Sequence, residues 1–172
     1  MAATACVEGS TIRGILWLVA ALMVQTRLIA NLLDGMVAME GGKATAEGEL
    51  YNEVPDRISD ALIFIGAGYS VIGIGVLGWA AALVAMFVAY VRAIGASVSA
   101  GQVFVGPMAK PHRMALMTLS GLALAAIEFA GSGGQISGWI LNGSLVIVIG
   151  LGVVTAVRRL WIIAGTMKRN AE

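Results

Sequence analysis

Charge is scarce in this sequence. Asp, Glu, Lys and Arg together make up 12% of 172 residues, where soluble domains carry about a quarter. Too little polar surface remains to cover a water-soluble globule of this size. Cysteine is nearly absent, and the single Cys6 excludes a disulfide within the chain. No basic region precedes the first apolar run in MAATACVEGS, which argues against a cleavable signal peptide. Internal repeats and low-complexity linkers are missing too. Net charge is only +1, so its sum points to no partner and nothing suggests nucleic acid.

What is abundant is apolar: 59% of residues are hydrophobic and mean hydropathy is +0.89. A bilayer is the natural solvent for such a chain. Five segments of spanning length are expected, at Ile12–Met39, Leu50–Ile74, Val76–Ser97, Arg113–Ala130 and Ile140–Trp161. Gly78, Gly106-Pro107 and Gly131-Ser132-Gly133-Gly134 punctuate the gaps. The 23 glycines suit close helix packing in lipid rather than disorder. The expected architecture is an all-α, polytopic transmembrane helix bundle forming a single integral membrane domain over residues 1–172.

Orientation follows from the basic residues. The first loop, third loop and C-terminus share one side, which carries Lys43, Arg57, Arg92, Lys110, Arg113, Arg158, Arg159, Lys168 and Arg169. The other side carries Arg13, and Arg27 lies inside a helix. The richer side is therefore cytoplasmic, and the N-terminus as given is outside. Trp17, Trp79, Trp139 and Trp161 fall near helix ends, where an aromatic belt would put them.

The acids are not scattered. Seven of the ten, Asp34, Glu40, Glu47, Glu49, Glu53, Asp56 and Asp60, fall within one stretch. Arg27, Asn31, Asp34 and Ala38 are spaced to share one helical face. Asn52, Asp56 and Asp60 share a face of the next helix. Charge inside a membrane helix is costly and turns toward a partner or a wet cavity. A short loop between antiparallel helices brings the two faces together at their cytoplasmic ends. Clustered carboxylates and amides that repel without a cation suit a hard ion such as Mg²⁺, Mn²⁺ or Ca²⁺. Magnesium held by few carboxylates, with substrate phosphates completing its shell, suits phosphoryl chemistry.

Asn31-Leu-Leu-Asp34-Gly35-Met-Val-Ala38-Met39, eight residues, then Gly48-x-x-x-Asn52-x-x-x-Asp56 resembles the CDP-alcohol phosphotransferase signature DxxDGxxAR…GxxxDxxxD. The motif region spans residues 27–60. Asn31 and Asn52 replace the first and third aspartates, and Met39 replaces the arginine, as in a subgroup with Asn at those two places. The resemblance implies a membrane enzyme of six helices, commonly a homodimer, in phospholipid biosynthesis. It would move a phosphatidyl group from CDP-diacylglycerol to an alcohol acceptor and release CMP, with Mg²⁺ or Mn²⁺. It implies metal ligation by Asp34, Asp56, Asn31 and Asn52, with Asp56 also the base for the acceptor hydroxyl. Gly35, Ala38 and Gly48 would let the CDP moiety approach closely. The resemblance also implies a bacterial-type inner membrane and a site facing the cytoplasm. The family's first helix has no counterpart, so the chain is expected to be shortened at its N-terminus.

Blander roles stand beside these. Asn31 and Asn52 serve equally as interhelical hydrogen-bonding groups. Arg27 reads as a counter-ion for Asp34, or else as a substrate contact, and Asp60 as an outer-shell residue. Arg92, Lys110 and Arg113 are positive-inside residues first and candidate ligands of a substrate phosphate second. Glu53, His112 and Glu128 read as hydrated, and Pro55 as a structural kink in the second helix. A non-catalytic binder of nucleotide or lipid, and a transporter lined by Arg27, Asn31 and Asp34, are the alternative functions.

Overall fold

The computed structural model describes residues 10–40 and 46–171, leaving aside the side chains at 34, 35, 37–40, 46–52 and 171. Its elements are five helices, α1 (Ser10–Glu40), α2 (Ala46–Gly68), α3 (Gly75–Ser97), α4 (Lys110–Phe129) and α5 (Gln135–Ala171). No strand occurs among the described residues. The molecule is a helical membrane bundle.

The helices pack as α1 on α4, α2 on α3, and α3 and α4 both on α5. One cluster joins Trp17 and Val24 of α1, Phe64 of α2, Ala81, Ala82 and Ala85 of α3, Met114, Met117 and Leu124 of α4, and Leu141, Leu145 and Val148 of α5. Lipid tails are as apolar as these side chains, so close fit rather than expulsion of water drives such packing. At the α2–α3 crossing a Cβ on Gly78 would lie 2.7 Å from the Phe64 carbonyl oxygen and 2.9 Å from the Gly68 Cα. Gly78 is therefore a contact point within α3, not the break expected from its sequence position. Outward, Val76, Leu83, Leu119, Trp139 and Trp161 are exposed, the surface a lipid-facing bundle presents.

Among the described residues, three helices are long and apolar enough to cross a membrane, within Ser10–Leu33, Gly75–Ser97 and Gln135–Asn170. The segments expected at 50–74 and 113–130 form α2 and α4, which fall short of that apolarity because they carry the polar groups. α2 brings Glu53, Asp56, Arg57 and Asp60, and α4 opens Lys110-Pro-His-Arg113. Pro111 sits in the first turn of α4, where its missing N–H costs nothing.

Backbone left unpaired in an apolar setting costs several kcal/mol per group, and side chains of α5 supply partners. Asn142 Oδ1 accepts from the Ile74 N–H at 2.9 Å, and Asn142 Nδ2 donates to the Ile72 carbonyl at 2.9 Å. Ser120 and Ser144 join α4 to α5 at 2.7 Å.

Two expectations are corrected at the far end of the bundle. Trp17 is 1% exposed and belongs to the core, not to an aromatic belt; Trp79, Trp139 and Trp161 are exposed. Glu128 is 3% exposed rather than hydrated, and accepts a hydrogen bond from Arg13 Nε at 3.1 Å.

Candidate functional site

The opposite end holds the polar cluster. The C-terminal half of α1, the middle of α2, the end of α3, the start of α4 and the middle of α5 all reach it. This convergence agrees with the alternating topology read from the basic residues.

Asp56 sits at its centre. Its Oδ1 accepts from Asn31 Nδ2 at 2.5 Å and from Arg27 Nη2 at 2.9 Å. Lys110 Nζ donates to Oδ2. Arg27 Nη2 also reaches the Asp56 carbonyl at 2.8 Å. Thus α1 and α2 are tied here by side chains, although the main packing partner of α1 is α4. That packing also carries Lys110 into the site.

One turn along α2, Asp60 is 2% exposed. Its Oδ1 accepts from Arg27 Nη1 at 2.6 Å, while Arg57 Nη1 lies 3.9 Å and Arg113 Nη2 3.7 Å from Oδ2. A buried carboxylate needs paired cations to stay charged, and three guanidinium groups surround this one. Arg27 therefore pairs with Asp56 and Asp60, both on α2; its expected pairing with Asp34 falls outside the described side chains. Glu53, expected to face water, is shared by Arg57 Nη2 at 2.6 Å and Arg92 Nη2 at 2.5 Å.

Beside these acids lies a cavity of about 270 Å³ whose lining includes Arg57, Arg92, Lys110, Arg113 and Arg159. Five cationic side chains around so small a volume make a strongly positive concavity. Arg92 lies over the Phe104 ring at 5.5 Å. Arg113 is buried, with Nη1 donating to the Met108 carbonyl at 3.4 Å. The three expected phosphate-binding residues, Arg92, Lys110 and Arg113, thus meet at one cavity.

Arg57 and Arg159 are members of the cavity that sequence reasoning missed. Arg159 is buried in an apolar helix and donates to the carbonyls of Val105 (3.0 Å), Val88 (3.2 Å) and Phe104 (3.3 Å). Its signal was present: a charge in the interior of a spanning segment calls for an internal partner. Thr155, one turn earlier, accepts from the Met108 N–H at 3.0 Å. Gly106, at φ +138°, lets the loop touch it, because a Cβ there would lie 2.3 Å from Thr155 Cγ2. α5 thereby fixes the loop that leads into Lys110.

A second concavity of about 660 Å³ adjoins the cluster, lined by Glu53 and Arg57 at its polar end and by Leu83, Met86, Phe87 and Tyr90. His112 is exposed, in agreement with its bland reading.

Of the expected metal ligands, Asn31 and Asp56 meet. Asp34 lies on α1 and Asn52 on α2, and their side chains fall outside the described residues, as do those of Gly35, Ala38, Met39 and Gly48. Among the described residues no three His, Cys, Asp or Glu side chains gather as a metal cluster. The donors that are described fit an oxygen-preferring cation in kind. Asp56 offers a carboxylate, Asn31 an amide, and the Lys110 ammonium already stands against Oδ2 as a cation.

Comparison with known proteins gives one relative of note. The chain is 29% identical to the archaetidylinositol phosphate synthase of Methanothermobacter thermautotrophicus over 156 residues. That match covers 89% of this chain and 70% of the synthase. No family model matches the chain, and no solved structure does. The similarity runs well beyond the motif region, across most of the bundle, and its partner is a phospholipid synthase.

Proposed function

We propose that this protein is a membrane phosphotransferase of the CDP-alcohol type, of the subgroup with Asn at the first and third aspartate positions. It takes the substituted phosphate of CDP-diacylglycerol, or of a related CDP-alcohol, passes it to an alcohol acceptor and releases CMP. The observation that carries this reading is the adjacency of the Asp56 carboxylate to the cavity ringed by Arg57, Arg92, Lys110, Arg113 and Arg159. A proton acceptor thus stands next to a positively charged space of about 270 Å³. The similarity to a phospholipid synthase supports the reaction class.

The acceptor's hydroxyl oxygen forms the new bond to the β-phosphorus of the CDP-alcohol. The bond from that phosphorus to the bridging oxygen breaks, and CMP leaves with the bridging oxygen. Asp56 takes the hydroxyl proton. The basic cavity holds an anionic acceptor and aims its hydroxyl, which converts an encounter into a positioned reaction. A relative named for a product bearing inositol phosphate supports a phosphorylated acceptor. The 660 Å³ concavity, apolar beyond Glu53 and Arg57, suits the chains of the lipid donor. By the motif, Gly35, Ala38 and Gly48 would let the CDP moiety approach closely.

Asp34, Asp56 and the amide oxygens of Asn31 and Asn52 would hold Mg²⁺ or Mn²⁺, which supplies positive charge against the pyrophosphate. The cation-rich side faces the cytoplasm of a bacterial-type inner membrane, and the protein works as a homodimer.

The test is CMP release from CDP-diacylglycerol by purified protein in lipid nanodiscs, with Mg²⁺ or Mn²⁺ and a panel of acceptors. Glycerol phosphate and inositol phosphate are set against serine and simple alcohols. Metal-dependent release with a phosphorylated acceptor is expected. Binding of CDP-diacylglycerol without release for any acceptor would leave a non-catalytic binder. Metal-dependent flux in liposomes would instead make the protein a transporter.

A further inference from the structure

Lys110 belongs to two places at once. Its ammonium lies against Asp56 Oδ2, and the same residue lines the basic cavity with Arg57, Arg92, Arg113 and Arg159. Its side chain is only partly buried, at 20% exposure. It stands on the first turn of α4, behind a loop that Arg159 and Thr155 hold by its backbone. The base of the side chain is therefore fixed, while its four-carbon stem rotates freely enough to carry the ammonium elsewhere.

We propose that Lys110 is an internal cation that neutralises Asp56 until a divalent ion arrives, and is then released into the basic cavity as a ligand for an anionic group. This rests on the reading of Asp56 as a metal ligand. A carboxylate shared by Arg27 and Lys110 cannot also accept a divalent ion at Oδ2 without strong like-charge repulsion. Arg27 cannot yield, because its other nitrogen holds the buried Asp60 at 2.6 Å. Lys110 has no second carboxylate among the described residues, so it is the group that leaves. Metal binding and the capture of an anion in the cavity are then coupled. The ion displaces the ammonium, and the displaced ammonium adds a cation where the anion docks.

The experiment has two arms, both on the full chain in detergent or nanodiscs and neither reading activity. In the first, Mn²⁺ is titrated into the wild type and into Lys110→Met, with free Mn²⁺ followed by electron paramagnetic resonance. Removing the competing ammonium is expected to tighten Mn²⁺ binding by at least about tenfold. In the second, wild-type protein is treated with an amine-directed reagent and mapped by mass spectrometry, with and without Mn²⁺. Labelling at Lys110 is expected to rise several-fold with Mn²⁺, while Lys168, exposed at the end of α5, stays constant. The second arm needs no variant, so misfolding of Lys110→Met does not block the test. Equal Mn²⁺ affinity in both proteins, or Lys110 labelling unchanged by bound Mn²⁺, overturns the exchange while leaving the metal site standing. No Mn²⁺ binding in either protein overturns the metal reading, and the exchange with it.

Discussion

Arg27 Nη1 and Asp60 Oδ1 lie 2.6 Å apart across the gap between α1 and α2. With Arg27 Nη2 on Asp56 at 2.9 Å, one guanidinium spans two successive acids of α2. A planar fork suits that bridging, and an ammonium does not. Arg27→Met leaves Asp60 buried beside two more distant guanidinium groups. The expected loss is about 3–5 kcal/mol of stability, read as a lower unfolding midpoint in detergent. Arg27→Lys should recover only part of it. A double-mutant cycle with Asp60→Asn should show coupling of about 0.5–3 kcal/mol.

Asp56→Asn keeps the size of the side chain and removes its charge. CMP release should fall by about 10²–10⁴-fold, the usual worth of a positioned proton acceptor, with the far-ultraviolet helical signal intact. Activity within twofold of wild type would end the role given to Asp56.

Arg92 reaches both Glu53 and the Phe104 face at the edge of the basic cavity. Its removal takes one cation from the cavity and leaves Asp56 untouched. Arg92→Ala should raise the KM for a phosphorylated acceptor by about tenfold, the worth of one charge-assisted hydrogen bond, and leave kcat nearly unchanged. A neutral acceptor should show no such change.

The α2–α3 crossing depends on a missing methyl group. Gly78→Ala drives a Cβ to 2.7 Å from the Phe64 carbonyl and should destabilise the bundle by about 1–3 kcal/mol, as overpacking does. Gly143→Ala meets nothing within 4 Å on α5 and should be neutral or slightly stabilising. Thermal unfolding of the two variants side by side checks the contrast.

Asn142→Leu strips the α2–α3 turn of its partners at Ile72 and Ile74. Losing these two hydrogen bonds, at about 0.5–1.5 kcal/mol each, should lower the midpoint more than an exposed substitution on the same helix that breaks no hydrogen bond. Hydrogen exchange of the Ile74 amide would accelerate with it.

Much of this arrangement was readable in one dimension because it is local. The helical spacing of Arg27 and Asn31, and of Asp56 and Asp60, set those side chains on common faces. What sequence spacing does not carry is partnership across the fold. Glu128 looked hydrated because Arg13 lies 115 residues away. Trp17 looked interfacial because nothing near it in sequence announces the α4 side chains that bury it. Arg159 was passed over because its partners are backbone carbonyls 54 to 71 residues earlier, and carbonyls leave no mark on composition. Asp34 and Asn52, the other half of the motif, fall outside the described side chains, so their part stays with the motif alone.

The grip of α5 on the loop before α4 has a consequence for biogenesis. Translation delivers α1 to α4 into the membrane first, and segments fold in the order of synthesis. Until α5 follows, the carbonyls of Phe104 and Val105 have no guanidinium to bind them and Met108 has no hydroxyl acceptor. The basic cavity is thus completed only once α5 packs, and a nascent chain stalled before α5 carries the acids without the finished pocket.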